Sequence, residues 1–505
     1  MKNRYIKQSS DVDIMLLAEG TYPYIKGGVS SWIHQLIQGL PHRRFGVCFI
    51  GSREEDYEEI QYQFPENLVH LEVHYLFQQN EDPVVDEDLR IDRETLESVD
   101  ELHRFMQSNK NILPQKIRES SFFSEKLPFK NFLYSKEAWE FIREYYYQGA
   151  SKVPFLDYFW TVRNMHRPIW IIASIVRQFP RIGLLHAPST GYGGFLGMLA
   201  SYQRHIPFIL TEHGIYTRER KIDLLSADWI NYHPLALLSS QGENEYIKDL
   251  WVRFFEKVAG MSYERAETII SLYSGAREVQ IAFGADERKT RVIPNGVDVD
   301  GFGELLSRRK EGVPPVIGLI GRVVAIKDIK TFIRAMRIVA DRLDRVEGWI
   351  VGPEDEDPEY AQECHEMVEA LHLQEHVKFL GFQDIRDIYP KIGLLTLTSI
   401  SEGMPLVVLE GFASGVPAVT TEVGSCRDLV YGGIDERDKA LGAAGIVTPI
   451  AHPAEIAKAY IKLLEDENAW KKAQKSGLER VRRYYRQESF LQAYDRLYDD
   501  LLEHK

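Results

Sequence analysis

The chain has 505 residues, 44% hydrophobic and 27% charged, a globular composition with length for two or three cores that excludes a disordered or collagen-like protein. Its 61 Lys and Arg against 75 Asp and Glu leave a formal net charge of -14, so no general attraction to nucleic acid or to an anionic membrane face is expected. The three cysteines, Cys48, Cys364 and Cys426, show no metal or redox spacing and read as free thiols in a reducing compartment.

The first apolar stretch, residues 14–18, follows Asp11 and Asp13 and is too short and too charged for a signal peptide. No window approaches the roughly 18–20 apolar residues that span a bilayer, so a cytoplasmic protein is expected, peripheral at a membrane only through partners. In chain order, residues 13–19 read as a strand, residues 20–31 as a loop containing Gly27 and Gly28, and Trp32, Ile33, Leu36, Ile37 and Leu40 as the apolar face of a helix. Further continuous apolar runs at 46–50, 182–186, 208–211 and 268–272 have the texture of parallel strands covered on both faces. Between about 52 and 165, acidic turns (54–56, 81–82, 86–88) and aromatic clusters (145–147, 155–160) predict a largely helical insertion. Its aromatics fit either the insertion's own core or a partner or acceptor surface.

After Pro294-Asn295-Gly296-Val297-Asp298, a turn sequence, residues 301–315 suit a linker. A second series follows, with strands at 316–320, 348–351, 377–380, 394–398 and 417–420, helices between them, and a helical tail from Ala454. The expected class is α/β, with two doubly wound Rossmann-like domains facing across a cleft. Residues 1–300 form the first, with the insertion, and residues 301–470 the second; a C-terminal helix, 471–505, returns to the first. In open sheets of this kind ligands bind outside the carboxyl ends of the strands, so the chemistry is expected in the loops that follow them.

The richest such loop is Ser399-Ile400-Ser401-Glu402-Gly403-Met404-Pro405-Leu406-Val407, with Glu410 beyond it. Pro405 suits the first position of a helix, so Gly403 and Met404 lead into N–H groups and a positive dipole end that favour a phosphate. Glu410 is a lone carboxylate in an apolar segment and needs donors, which two ribose hydroxyls supply. The same residues also fit Glu402 as a carboxylate facing the helix dipole and Glu410 as the partner of a cation. Gly321-Arg322 and Lys327 follow the strand at 316–320, and two cations at that spacing reach adjacent phosphates of a diphosphate, or stand solvated on a surface loop. The acidic run 355–357 reads as a solvated loop, and His365, His372 and His376 lack an accompanying carboxylate set, so no metal is expected. No Gly-x-Gly-x-x-Gly follows the first strand, which counts against a dinucleotide enzyme.

Glu402 with Glu410 resembles the E-x7-E motif, Gly321-Arg322 with Lys327 the G-R…K clamp, and residues 294–298 the P-N-G-V-D turn of the retaining GT-B glycosyltransferases of family 4. The resemblance covers most of the chain outside the insertion. Segments 19–32 and 210–220, the latter containing His213, further resemble the cytoplasmic glycosyltransferases of Pel exopolysaccharide systems. The resemblance implies that Glu410 holds the ribose, that Arg322 and Lys327 hold the diphosphate, and that Glu402 with the backbone of Gly403, Met404, Pro405, Leu406 and Val407 holds the donor sugar and phosphates. It implies that Gly27 and Gly28 lie against the donor where any Cβ would collide, that Phe382 and Gln383 read the nucleobase through backbone groups, and that His213 lies near the donor sugar. Glu402, His213, Arg322 and Lys327 are then the catalytic set.

The implied reaction moves a hexose or N-acetylhexosamine from a UDP-sugar to a growing exopolysaccharide of the biofilm matrix, with retention, and requires no metal and no cofactor beyond the donor. Inner-membrane proteins of a polysaccharide export complex are the implied partners, with no nucleic acid and no direct membrane insertion. His186 either faces the ligand or orients its loop, and Arg218, Arg220 and Lys221 either guide an acceptor or form a solvated face. Two other readings stay open: a catalytically inactive nucleotide-sugar-binding scaffold for a membrane complex, and a UDP-sugar epimerase on the same fold.

Overall fold

A computed structural model describes residues 5–77, 89–119, 121–150, 153–226 and 241–503, so the acidic turns at 81–82 and 86–88 lie outside the described residues. It divides into two compact units: residues 1–271, 277–292 and 495–505 form the first, and residues 272–276 and 293–494 the second.

The first unit is built on strands β1 (Tyr5–Lys7), β2 (Asp11–Glu19), β3 (Phe45–Gly51), β4 (Leu68–Tyr75), β5 (Arg181–Ala187), β6 (Phe208–Glu212), β7 (Thr268–Ser271) and β8 (Thr290–Val292). They form one sheet in the order β1-β4-β3-β2-β5-β6-β7-β8, parallel throughout except where β1 runs antiparallel to β4. Ile14, Met15, Leu16, Leu17 and Ala18 are all fully buried, because helices cover both faces of β2 and an alternating pattern would leave one face polar. Strand order reverses between β2 and β5, which opens a crevice at their carboxyl ends.

Two boundaries differ from the sequence-based expectation. The stretch 52–165 is not all insertion, because β4 lies within it and pairs with β3. Apolar continuity misses this strand because three of its buried positions are His70, Glu72 and His74. The helical part comprises chiefly Arg93–Gln107, Lys136–Tyr145 and Phe155–Gln178. Phe132 stacks on Trp170 at 4.6 Å inside it, so part of the aromatic density is the insertion's own core, while Trp139, Tyr147 and Trp160 are exposed. The tail also differs: the helix Glu467–Tyr484 belongs to the second unit, where its Arg480 and Val481 are fully buried, and only the part of Gln487–Glu503 from Asp495 onward belongs to the first. There Tyr498 Oη lies 2.8 Å from His186 Nδ1, and Arg43 pairs with Asp495 at 2.8 Å and with Asp499.

The second unit carries β9 (Val316–Ile320), β10 (Glu347–Val351), β11 (Val377–Gly381), β12 (Leu394–Leu397), β13 (Ala418–Thr421) and β14 (Gly445–Thr448) in the order β11-β10-β9-β12-β13-β14. All are parallel, and the order reverses between β9 and β12. The helix Ile329–Ala340, capped by the Asp328 carboxylate on the Thr331 N–H, buries Ile329, Phe332, Ile333, Met336 and Val339 on one face. The turn at 294–298 locks onto the junction of the last two helices: the Val297 N–H donates to Tyr485 O at 2.9 Å and the Gln487 N–H to Val297 O at 3.0 Å. Only glycine fits at Gly296, where a Cβ would lie 2.7 Å from Gln487 Cα. No helix among the described residues is long and apolar enough to cross a membrane.

Candidate functional site

The reversal of the second sheet places the loop after β9 beside the loop after β12, and these loops carry the charged residues singled out above. Lys327 Nζ meets Glu402 Oε1 at 2.5 Å, and Ser399 Oγ donates to the same oxygen at 2.6 Å. The two loops therefore meet through residues 75 apart in the chain. Arg322 instead pairs with Glu356 at 2.5 Å, both part-exposed. Glu356 lies in the acidic run read as a solvated loop, and its contact with a site cation was not visible in the local sequence.

The loop carrying Glu402 is held from several directions. Thr421 Oγ1 donates to Ser399 O at 2.7 Å, the Ser425 N–H to Gly403 O at 2.9 Å, the Ile400 N–H to Ile326 O at 2.9 Å, and the Asn295 side-chain amide to Met404 O at 3.3 Å. Gly424 permits this approach: its φ is +51°, and a Cβ there would come within 2.2 Å of Gly403 O. Pro405 is the N-cap of the helix Leu406–Ala413 rather than its first residue, one position earlier than its fixed φ suggested.

Glu410 has no cation facing it among the described residues; its partner is the hydroxyl of buried Tyr389, at 3.1 Å. Burial pushes its carboxyl up to about 7, against the single hydrogen bond that favours ionisation. The folded pKa exceeds the unfolded one, so the folded chain retains an extra proton between about 4.5 and about 7, and this group's contribution to stability falls as pH rises through that window. The expected result is that the melting temperature of Glu410→Gln gains on wild type as pH is raised from about 5 to about 8 and levels off above that. A pH-independent gap in parallel thermal melts would contradict it. Phe382 is 71% exposed, and the Gln383 side chain donates back to Leu380 O at 2.7 Å, so neither is held in the core.

The first unit has its own crevice at its reversal, a cavity of about 440 Å³ whose lining includes Glu19, Tyr57, His213, Tyr216 and Arg220. The Glu19 carboxylate accepts from the Gly193 N–H at 3.0 Å and from Tyr216 Oη at 2.9 Å, and Arg220 donates to that same hydroxyl at 3.0 Å. His213 packs edge-on against Trp32 with centroids 4.6 Å apart, and its buried Nε2 has no hydrogen-bond partner. Burial pushes this imidazole down to about 3, so it is neutral at physiological pH. Glu212 lies fully enclosed beside it, accepting from Tyr263 at 2.6 Å, Thr190 at 3.0 Å and Gln280 at 3.0 Å. His186 is buried between Tyr498 and Thr211, 2.8 Å from each, so its ring is tied to these neighbours. Gly27, in extended backbone, caps the helix Gly28–Gly39 and Gly28 is its first residue; a Cβ at either meets no atom of the described residues within 4 Å. Arg218 and Lys221 are exposed.

Residues 12–288, more than half of the chain, match the family model described as Domain of unknown function (DUF3492). The chain belongs to that family. The second unit of this DUF3492 protein matches, at residues 314–466, the model described as Glycosyl transferases group 1. The chain is 29% identical over 138 residues to N-acetyl-alpha-D-glucosaminyl L-malate synthase of Bacillus anthracis, covering 27% of this chain and 34% of that protein. It is 30% identical over 195 residues to D-inositol 3-phosphate glycosyltransferase of Geodermatophilus obscurus, covering 35% and 43%. It thus spans less than half the length of these two curated relatives. The crystal structure of Anabaena Alr3699/HepE in complex with UDP superposes with a TM-score of 0.58 at 15% identity, covering 97% of this chain and 100% of that one. The DUF3492 protein therefore has the two-domain GT-B fold, with Rossmann-type sheets and a helical insertion, and its second unit is similar to the glycosyl transferases of group 1.

Proposed function

We propose that this protein is a retaining glycosyltransferase that moves a hexose or N-acetylhexosamine from a UDP-sugar to a growing polysaccharide. The observation that carries this reading is the joining of Lys327, Glu402 and Ser399 at the reversal of the second sheet, one short helix away from the isolated carboxylate of Glu410. Solved relatives of the same fold hold UDP, which supports uridine as the nucleoside. Arg322 and Lys327 exchange their carboxylate partners for the diphosphate, and Glu410 takes the ribose hydroxyls. Glu402, freed from Lys327, turns to the donor sugar together with the backbone of residues 403–407, while Phe382 and Gln383 border the base.

Two cations and a helix N-terminus stabilise the negative charge that develops on departing UDP, so the reaction does not require a divalent ion. The acceptor hydroxyl attacks on the face that UDP leaves, and the leaving phosphate takes its proton. The first unit's cavity, with neutral His213 and the Glu19–Tyr216–Arg220 chain, suits the hydroxyls of a sugar acceptor, and Gly27 and Gly28 leave exposed backbone on the same unit. The likeness of segments 19–32 and 210–220 to PelF supports a cytoplasmic enzyme of Pel-type exopolysaccharide synthesis that works with inner-membrane partners.

Calorimetric titration of UDP, ADP and GDP into the metal-free chain tests the nucleotide, and turnover of UDP-sugars in EDTA tests the reaction. Selective binding of UDP with donor turnover is expected. Binding without turnover would favour the scaffold, and isomerised donor in the absence of acceptor would favour the epimerase.

A further inference from the structure

The face of β4 that replaces apolar residues with His70, Glu72 and His74 has a second peculiarity. Positions two apart on a strand share a face, and the register partner of Glu72 on β3 is Cys48. All four side chains are buried, Cys48 and Glu72 completely. Ligand atoms of Cys48, Glu72 and His74 lie within 4.8 Å of one another. Both carboxylate oxygens of Glu72 are sealed from solvent, and the carboxylate faces His74 Nε2 at 3.3 Å and His70 Nε2 at 3.9 Å.

A fully buried carboxylate calls for positive charge beside it, which a bound cation would supply. We propose that Cys48, Glu72 and His74 hold a structural divalent metal of the zinc class, which joins β3 to β4 near the sheet edge. Thiolate, imidazole and carboxylate are all zinc ligands, both oxygens of Glu72 together would bring the donors to four, and metal bonds of about 2.0–2.3 Å require only that these atoms draw together slightly. Charge also balances: one thiolate, one carboxylate and a dipositive ion sum to zero, as a dry site demands. Binding expels the Cys48 proton to solvent, and the sulfur lone pair forms the new bond.

His70 has a different part. The Ser9 N–H donates to its Nδ1 at 3.2 Å, so in the neutral ring the proton sits on Nε2, aimed at Glu72. It therefore orients the carboxylate instead of ligating, an arrangement that recurs around metal sites. Ser9 follows β1, the strand that covers the outer edge of β4, and Tyr5 of that strand packs edge-on against His70 at 5.7 Å. The metal thus supports the docking of the outermost strand.

The test uses the full-length chain purified without a histidine tag, analysed for metal and then reconstituted with Co2+. About one equivalent of zinc or cobalt per chain is expected, with a thiolate-to-cobalt charge-transfer band in the near ultraviolet. The chain has three cysteines, so C364S/C426S leaves Cys48 as the sole thiol and should keep the band. C48S should abolish it, and E72Q should weaken metal binding at least about tenfold. A wild-type chain that binds no stoichiometric metal, or binds cobalt without a thiolate band, overturns the proposal whether or not C48S folds. Loss of the band in a C364S/C426S chain with wild-type circular dichroism overturns it as well.

Discussion

Replacing Glu410 by alanine is expected to weaken UDP binding by about 2–5 kcal/mol, the cost of removing one partner from a desolvated, hydrogen-bonded charged contact. Among the described residues the carboxylate has one donor, Tyr389, and burial pushes its pKa up to about 7, so near neutrality it is divided between the protonated and ionised forms. Two ribose hydroxyls would satisfy the ionised form and pull the group fully into it. Binding should therefore release a proton near pH 6.5 to 7, read as a buffer-dependent calorimetric enthalpy, and Glu410→Gln should lose that dependence. Arg322→Ala should weaken UDP less, because the part-exposed guanidinium leaves a partner, Glu356, to reach the phosphates and solvent screens it. Equal UDP affinity for wild type and both variants would remove this site from the donor-binding role. Folding is not expected to confound the Glu410→Ala result, since ionising an enclosed carboxylate costs the unliganded chain stability above pH 7.

The largest effect on stability is expected from Arg480→Met, about 3–5 kcal/mol off the second unit, the usual cost of breaking a buried ion pair from one side. Arg480 and Asp438 are both fully buried. Arg480 Nε donates to Asp438 Oδ1 at 2.6 Å, while its other nitrogens reach the backbone oxygens of Leu429, Val430, Asp438 and Gly442 at 2.9–3.2 Å. The second oxygen of Asp438 accepts from the N–H groups of Gly433 and Ile434 at 3.0 and 3.2 Å. One guanidinium thus gathers the 429–442 segment onto the helix Glu467–Tyr484. Arg480→Lys should rescue little, because an ammonium cannot span four carbonyls and a carboxylate in the guanidinium's fork geometry. Urea unfolding followed by circular dichroism checks this, and a loss below about 1 kcal/mol for Arg480→Met would show that water replaces the network.

The alternation of strand and helix, and the placing of Arg322, Lys327 and Glu402 just after strands, follow from the sequence by itself. A covered strand must be apolar throughout, a half-covered helix must repeat its apolar residues every three or four positions, and a loop after a parallel strand is where charged residues gather. These are local requirements and leave a local record. Other features needed the tertiary structure because each depends on a partner supplied from elsewhere in the chain. Tyr389 lies 21 residues before Glu410, Glu356 lies 34 after Arg322, Asp438 lies 42 before Arg480, and Tyr216 lies 197 after Glu19. The strand β4 escaped for the same reason. His70, Glu72 and His74 have the composition of a solvated segment, and only their pairing with β3 and β1 encloses them. A polar side chain is burial-competent only when its partners arrive, and those partners are chosen by the topology of the sheet rather than by the residues beside it in the chain.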